Sequence, residues 1–243
     1  MTEPIVVGVD ASAPSRAVAE WAAGDARLRG LPLRVVSIEG VEQAGGVAAA
    51  LLGPNSRASC AVLGLRDEGG VPVPAMDSVA REVAARSDLP VVLVPDGRQG
   101  RTGGEWRAGE VVLGVDARDP VGAVVDFAFD AARRRGVRLH AVHAWRLPSC
   151  AERWMPYALP EEDRGAWEDQ EVQLLSDALR PWREKYPHVD IYEDVRLQSL
   201  AAALARASAS AALVVVGRAG RTLGPAVRDV LEHTACPVAV IPY

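Results

Sequence analysis

Residues 6–38, VVGVDASAPSRAVAEWAAGDARLRGLPLRVVSI, lie over residues 112–144, VLGVDARDPVGAVVDFAFDAARRRGVRLHAVHA, without a gap. The shift is about 106 positions, and about fifteen residues are identical. Asp10 falls on Asp116, Pro14 on Pro120, Trp21 on Phe127 and Gly30 on Gly136. Two later stretches repeat as well. AVLGLRD from Ala61 lies over VVVGRAG from Val214, and LPVVLVP from Leu89 over CPVAVIP from Cys236. A chain that carries one unit twice must solve one folding problem twice, so two homologous domains are expected, over residues 1–95 and 110–243. Between them residues 96–109, DGRQGRTGGEWRAG, have the glycine and charge content of a linker.

Each unit opens with a continuous apolar run, Ile5 to Val9 and Val111 to Val115, as a strand buried on both faces requires. An amphipathic helical pattern follows and stops at Gly30 or Gly136, each a C-cap glycine. A second strand comes next, Leu33 to Ile38 and Leu139 to His143. Strands alternating with helices of this length predict parallel βαβ units, an α/β fold with a doubly wound sheet in each domain. The units differ in length. The second holds about 47 more residues before its Gly217 strand, the difference between shifts of about 106 and 153. That excess predicts a helix over Glu161 to Arg183, a strand over Val189 to Val195 and a helix over Ser199 to Arg206. The first unit keeps one short helical candidate there, Gln43 to Leu52, so it is expected to be truncated by a helix and an edge strand. An edge strand is the element a sheet can lose without opening its middle.

Composition narrows the functional classes. Hydrophobic residues make up 49% and charged residues 24% of 243, ordinary for a globular protein. A net charge of −5 argues against nucleic acid as a partner. No apolar run reaches the roughly 18 residues that span a bilayer, and Met1 leads straight into a strand-like segment, so a cytoplasmic protein without membrane attachment is expected. Cys60, Cys150 and Cys236 are odd in number and far apart, which suits unpaired thiols in a reducing compartment. The four histidines show no metal-ligand spacing with them. Lys185, in WREKYPH, is the sole lysine, so no phosphate-loop, adenylation or Schiff-base lysine is at hand. Neither a Gly-Lys-Ser/Thr loop nor a Ser/His/Asp or Cys/His arrangement is present in motif form, and an enzyme is not expected.

The segments VVGVDASAPSRAVAEWAAGDARLRG, VHAW, LVVVGRAGR and LEHTACPVAVIP, in this order and partly in both units, resemble the universal stress protein family, most of all its tandem two-domain form. The resemblance implies five parallel strands per domain in the order 3-2-1-4-5. It also implies a stress-linked regulatory role, with ATP bound in many members at the carboxyl ends of strands 1 and 4. In those members the loop after strand 4 reads Gly-x-x-Gly, nine residues, then Gly-Ser/Thr. Glycines let backbone N–H groups approach the phosphates, and the final pair opens a helix whose N-terminus favours an anion. In the first unit Gly64 is kept, but Asp67 and Asp77-Ser78 replace the later glycines, and Glu68 adds further negative charge. Carboxylates there would repel phosphate, and Asp77 reads better as a helix N-cap. In the second unit Gly217, Gly220 and Gly224 survive, with Arg218 and Arg221 between them. That loop is about six residues shorter, and Pro225 stands where the hydroxyl residue should be. It reads either as a small anion cradle or as a tight connection with solvated arginines.

By the same resemblance, Asp116, Ala117 and Val142 would meet the adenosine part of ATP or AMP. Asp10 and Asp116 can equally be turn or capping aspartates. His143 and Trp145 read as packing residues beside the same crevice. Trp154, Tyr157 and Trp167 stand where a cover over a pocket or a partner surface would lie. The expected function is that of a non-catalytic stress-response regulatory or binding protein with degenerate nucleotide loops and at most one weak ATP or AMP site, in the second domain. The alternatives are a pure protein-interaction scaffold without ligand, or a nucleotide-hydrolysing enzyme on the same fold. Family members pair through their last strands. Here those are the apolar runs Pro90 to Pro95 and Pro237 to Pro242, expected to pair antiparallel within one chain as an intramolecular pseudo-dimer, with a homodimer and an unknown protein partner left open.

Overall fold

The structure, a computed structural model, describes residues 3–9, 13–37, 51, 57–65, 79–95, 109–146, 161–234 and 236–243. The first half runs β1 (Ile5–Val9), α1 (Ala13–Arg29), β2 (Leu33–Ser37), β3 (Cys60–Leu65), α2 (Val79–Arg86) and β4 (Val91–Pro95). The second runs β5 (Glu110–Gly114), α3 (Gly122–Arg135), β6 (Leu139–Trp145), α4 (Glu161–Lys185), β7 (Ile191–Leu197), α5 (Leu200–Ser208), β8 (Ala211–Arg218), α6 (Pro225–His233) and β9 (Val238–Pro242). The expected linker, except for Gly109, and all of the Gln43 to Leu52 candidate except Leu51 lie outside the described residues. So do Asp10, Asp67, Glu68, Asp77, Ser78, Cys150, Trp154 and Tyr157.

The strands form one nine-stranded sheet in the order β2-β1-β3-β4-β9-β8-β5-β6-β7. The second half therefore has the order 3-2-1-4-5, and the described strands of the first half repeat its 2-1-4-5 part. Every pairing is parallel except that of β4 with β9. Helices pack on both faces, and the inner strands are apolar along their whole length because neither face meets water. The cost of the shorter first half falls at its edge. Val35 of β2 is 56% exposed, whereas its repeat equivalent Ala141 of β6 is fully buried between β5 and β7. Leu51 and its equivalent Leu204 of α5 are both fully buried. Gly30 and Gly136 end α1 and α3 at φ 64°, a left-handed conformation in which a side chain would be strained.

The two halves join through the strands at which each would otherwise end. Val91 lies opposite Val240, Val92 opposite Ala239 and Leu93 opposite Val238, and all six are buried. Each lone sheet would leave a strongly apolar edge with unpaired N–H and C=O groups, and antiparallel pairing removes both edges together. The helices then meet about an approximate twofold axis. Arg29 lies over the Phe127 ring at 4.7 Å, and Arg135 over the Trp21 ring at 5.8 Å. In the repeat Arg29 is equivalent to Arg135 and Trp21 to Phe127, so these are one contact made twice, as in an isologous interface. On the other face Arg81 of α2 reaches Glu232 of α6 at 3.4 Å. Ser87 and Thr234, also equivalents, each bridge the backbone of the residue two places on.

One element breaks the symmetry. Asp25, buried on α1, accepts from Arg29 at 2.7 Å and from Arg135 of α3 at 2.5 Å, while its equivalent is Ala131. Two guanidinium groups withdrawn from water thus share one carboxylate. Nearby, burial pushes the Cys60 thiol up to about 12, so it is a packing group and not a nucleophile. Cys60 and Cys236 are both fully buried. Among the described residues no helix is long and apolar enough to cross a membrane. Asp25→Ala should cost about 3–5 kcal/mol, because it strands two buried cations. Arg134→Ala, at the more open pair with Asp130, should cost under about 1 kcal/mol. Chemical denaturation of the two variants checks the difference.

Candidate functional site

β5 and β8 are neighbours, with Leu113 opposite Val215, yet their following helices pack on opposite faces. A Cβ on Gly217 would meet Val124 of α3, and one on Gly114 would meet Leu204 of α5, which packs against α6. The sheet's connections therefore diverge beyond the ends of these two strands. In open α/β sheets that divergence leaves a crevice where ligands bind.

The β5 side of the crevice is a tight turn. Asp116 Oδ1 accepts from the Arg118 N–H at 3.0 Å, and the Asp116 carbonyl accepts from the Asp119 N–H at 3.2 Å. The aspartate at the strand end thus shapes its own turn, while its carboxylate stays exposed. Ala117 is buried, and its N–H donates to His143 Nδ1 at 3.3 Å. Val142 is buried in β6 and its carbonyl accepts from the Val115 N–H at 3.1 Å. His143, 1% exposed, places Nε2 3.1 Å from Glu171 Oε2, and the other oxygen of Glu171 accepts from Arg118. A buried relay thus ties α4 to β6 and to the turn. Its signal in sequence is Glu171 itself, which takes a place in the buried stripe continued by Leu175 and Leu179, four residues apart on α4. A carboxylate there needs a buried partner. Trp145, beyond His143 on the same side of β6, is buried, and its indole N–H has no partner among the described residues.

The β8 side is the glycine loop, and its glycines serve different ends. Gly217 has no room for a side chain, since a Cβ would come within 2.8 Å of the Tyr243 ring and 3.0 Å of Val124. Gly220 turns the chain at φ 59°. Gly224 begins α6 at an ordinary φ of −63°, and a Cβ there would meet nothing within 4 Å. No side chain caps α6, whose first residue is Pro225. The two arginines point across the interface. Arg218, 3% exposed, donates to the Ser87 carbonyl, and Arg221 donates to the Arg86 carbonyl at 3.0 Å with Asp88 3.8 Å away. These are the carbonyls that close α2, where cations are favoured. Burial lowers the pKa of Arg218, and its Nε has no partner among the described residues. Of the eight residues expected at the site, Asp116 and Ala117 thus lie in the turn after β5, Val142 in β6, and Gly217, Gly220 and Gly224 along the end of β8 and the loop to α6, while Arg218 and Arg221 both donate to the end of α2.

The profile of the universal stress protein family matches residues 109–242. Two universal stress proteins of Mycobacterium tuberculosis (strain H37Rv) are each 29% identical. Both alignments take in 97% of this chain, and they cover 94% and 96% of the relatives. The first alignment extends over 305 positions against 243 residues here, so that relative carries segments this chain lacks. Among solved structures, a functionally unknown protein from Pseudomonas aeruginosa PAO1 superposes with a TM-score of 0.61 at 14% identity, over 99% of this chain and 92% of its own. A universal stress protein from Archaeoglobus fulgidus gives 0.55 at 13% identity, over 98% of both chains.

Gly217→Ala should destabilise the protein by about 1–2 kcal/mol through overpacking. In a Tyr243→Ala background about half of that cost should disappear, because the nearer obstacle is gone. Thermal melts of the four proteins in this cycle measure the coupling.

Proposed function

We propose that this chain, which belongs to the universal stress protein family, is a non-catalytic regulatory protein of the stress response with one weak adenine-nucleotide site, in its second half. The observation that carries the reading is the open start of α6. Among the described residues nothing comes within 4 Å of a Cβ at Gly224, and this N-cap, being glycine, offers no side-chain acceptor to the first turn. Bare backbone at a helix N-terminus beside a topological switch point suits a phosphate. On this reading Gly217, Gly220 and Gly224 lie along the phosphates, and Asp116, Ala117 and Val142 meet the adenosine. Arg221, with 69% of its side chain exposed, can swing to the anion. Arg218 holds the loop to α2. Affinity is weak because Pro225 brings neither an N–H nor a hydroxyl.

The first half is read as ligand-free, since Asp67, Glu68 and Asp77 put negative charge where phosphate would sit. Domains over residues 1–95 and 110–243, a place in the cytoplasm and a protein partner complete the reading. The absence of a catalytic lysine and of any motif-form nucleophile favours binding over turnover.

Calorimetric titration with ATP and with AMP tests this. Weak, single-site binding is expected. It should be abolished by Gly220→Asp, an aspartate being among the residues that best tolerate a left-handed backbone. Binding that survives this change places the site elsewhere, and no binding at all leaves a scaffold.

A further inference from the structure

One ring nitrogen of His143 faces both a donor and an acceptor. Nδ1 lies 3.3 Å from the Ala117 N–H nitrogen and 3.2 Å from the Val115 carbonyl. The other nitrogen, Nε2, faces the Glu171 carboxylate at 3.1 Å, and that carboxylate is held in turn by Arg118. An ionised carboxylate only accepts, so Nε2 carries a proton in either charge state of the ring. Nδ1 is then the atom that gains or loses one. Without it, Nδ1 accepts from Ala117 and fixes the turn. With it, Nδ1 donates to Val115 and leaves the buried Ala117 N–H without a partner, which is costly. Across the sheet the ring's partner on β7 is Val195, and its other neighbour is Val115, which follows β5; both are apolar. Among the described residues the charged groups that meet the relay are Glu171 from α4, and Arg118 and Asp116 from the turn.

We propose that His143 is the positioning residue of the second-half crevice: its neutral ring, oriented by Glu171, holds the Val115–Arg118 turn in the form that receives a ligand. The substrate class rests on the nucleotide reading given above, but the role of His143 in the turn does not. Uptake of one proton by His143 releases the Ala117 N–H and changes the backbone that faces the adenosine end. A ligand that needs the ordered turn should then bind at least about tenfold more weakly.

The full chain, labelled with nitrogen-15, gives a direct test by long-range proton–nitrogen correlation. The expected result at neutral pH is a ring protonated at Nε2 and bare at Nδ1. On acidification the Ala117 amide should shift with the His143 titration, and its exchange with solvent should quicken at least about tenfold. His143→Asn keeps an acceptor near the Nδ1 position but does not titrate. In that variant the Ala117 response should vanish, and the pH dependence of ATP or AMP affinity should reduce to that of the phosphate group's own ionisation. A neutral ring protonated at Nδ1 overturns the proposal, as does an Ala117 amide indifferent to the His143 titration in the unsubstituted protein. Should the amide respond while neither nucleotide binds at any pH, the nucleotide reading fails and the role of His143 in the turn stands.

Discussion

The antiparallel pairing of β4 with β9 is the contact on which the other features depend. Parallel βαβ units must end somewhere, and both halves end on strands made almost wholly of valine, leucine, alanine and isoleucine. Such strands have no charge or bulge with which to protect an edge. Paired, they become the middle of a nine-stranded sheet, and Val91, Val92, Leu93, Val238 and Ala239 are fully buried. The pairing sets the approximate twofold, which brings α1 to α3 and α2 to α6. It therefore positions the Asp25 cluster on one face and the arginines of the β8–α6 loop on the other.

The departures from symmetry carry the functional content. Arg218 stands where the first half has Leu65, and it spends its hydrogen bond on the end of α2. Charge that would serve an anion site in an isolated domain here joins one half to the other. The same loop keeps a bare helix start at Gly224, so structural and ligand-facing demands divide a stretch of eight residues between them. The relay from Arg118 through Glu171 to His143 has no counterpart among the described residues of the first half.

Much of the fold was legible because it rests on periodicity and repetition. The continuous apolar runs, the glycines ending α1 and α3, and the excess segment holding α4, β7 and α5 all follow from spacing. The helix α4 runs two residues further than its pattern predicts, and β7 both begins and ends two residues later than expected, since edge strands and helix ends are set by neighbours and not by composition. The site was legible as a place but not as a set of contacts. Nothing in GRAGR says that both arginines turn towards α2, because their partners are backbone carbonyls more than a hundred positions away. His143 reads as packing in VHAW because its partner Glu171 belongs to another element. Asp25 looks like any charged helix residue until the second half is laid against it.

Native-state hydrogen exchange at the two joined strands tests the central claim most directly. If β4 and β9 pair as described, the amides of Val91 to Leu93 and Val238 to Val240 all have ladder partners on either side and should exchange only with global unfolding, alongside those of β1 and β5. Exchange of alternate amides in these two strands at the rate of the exposed edges β2 and β7 would mean that each half ends on an open strand, and would contradict the account.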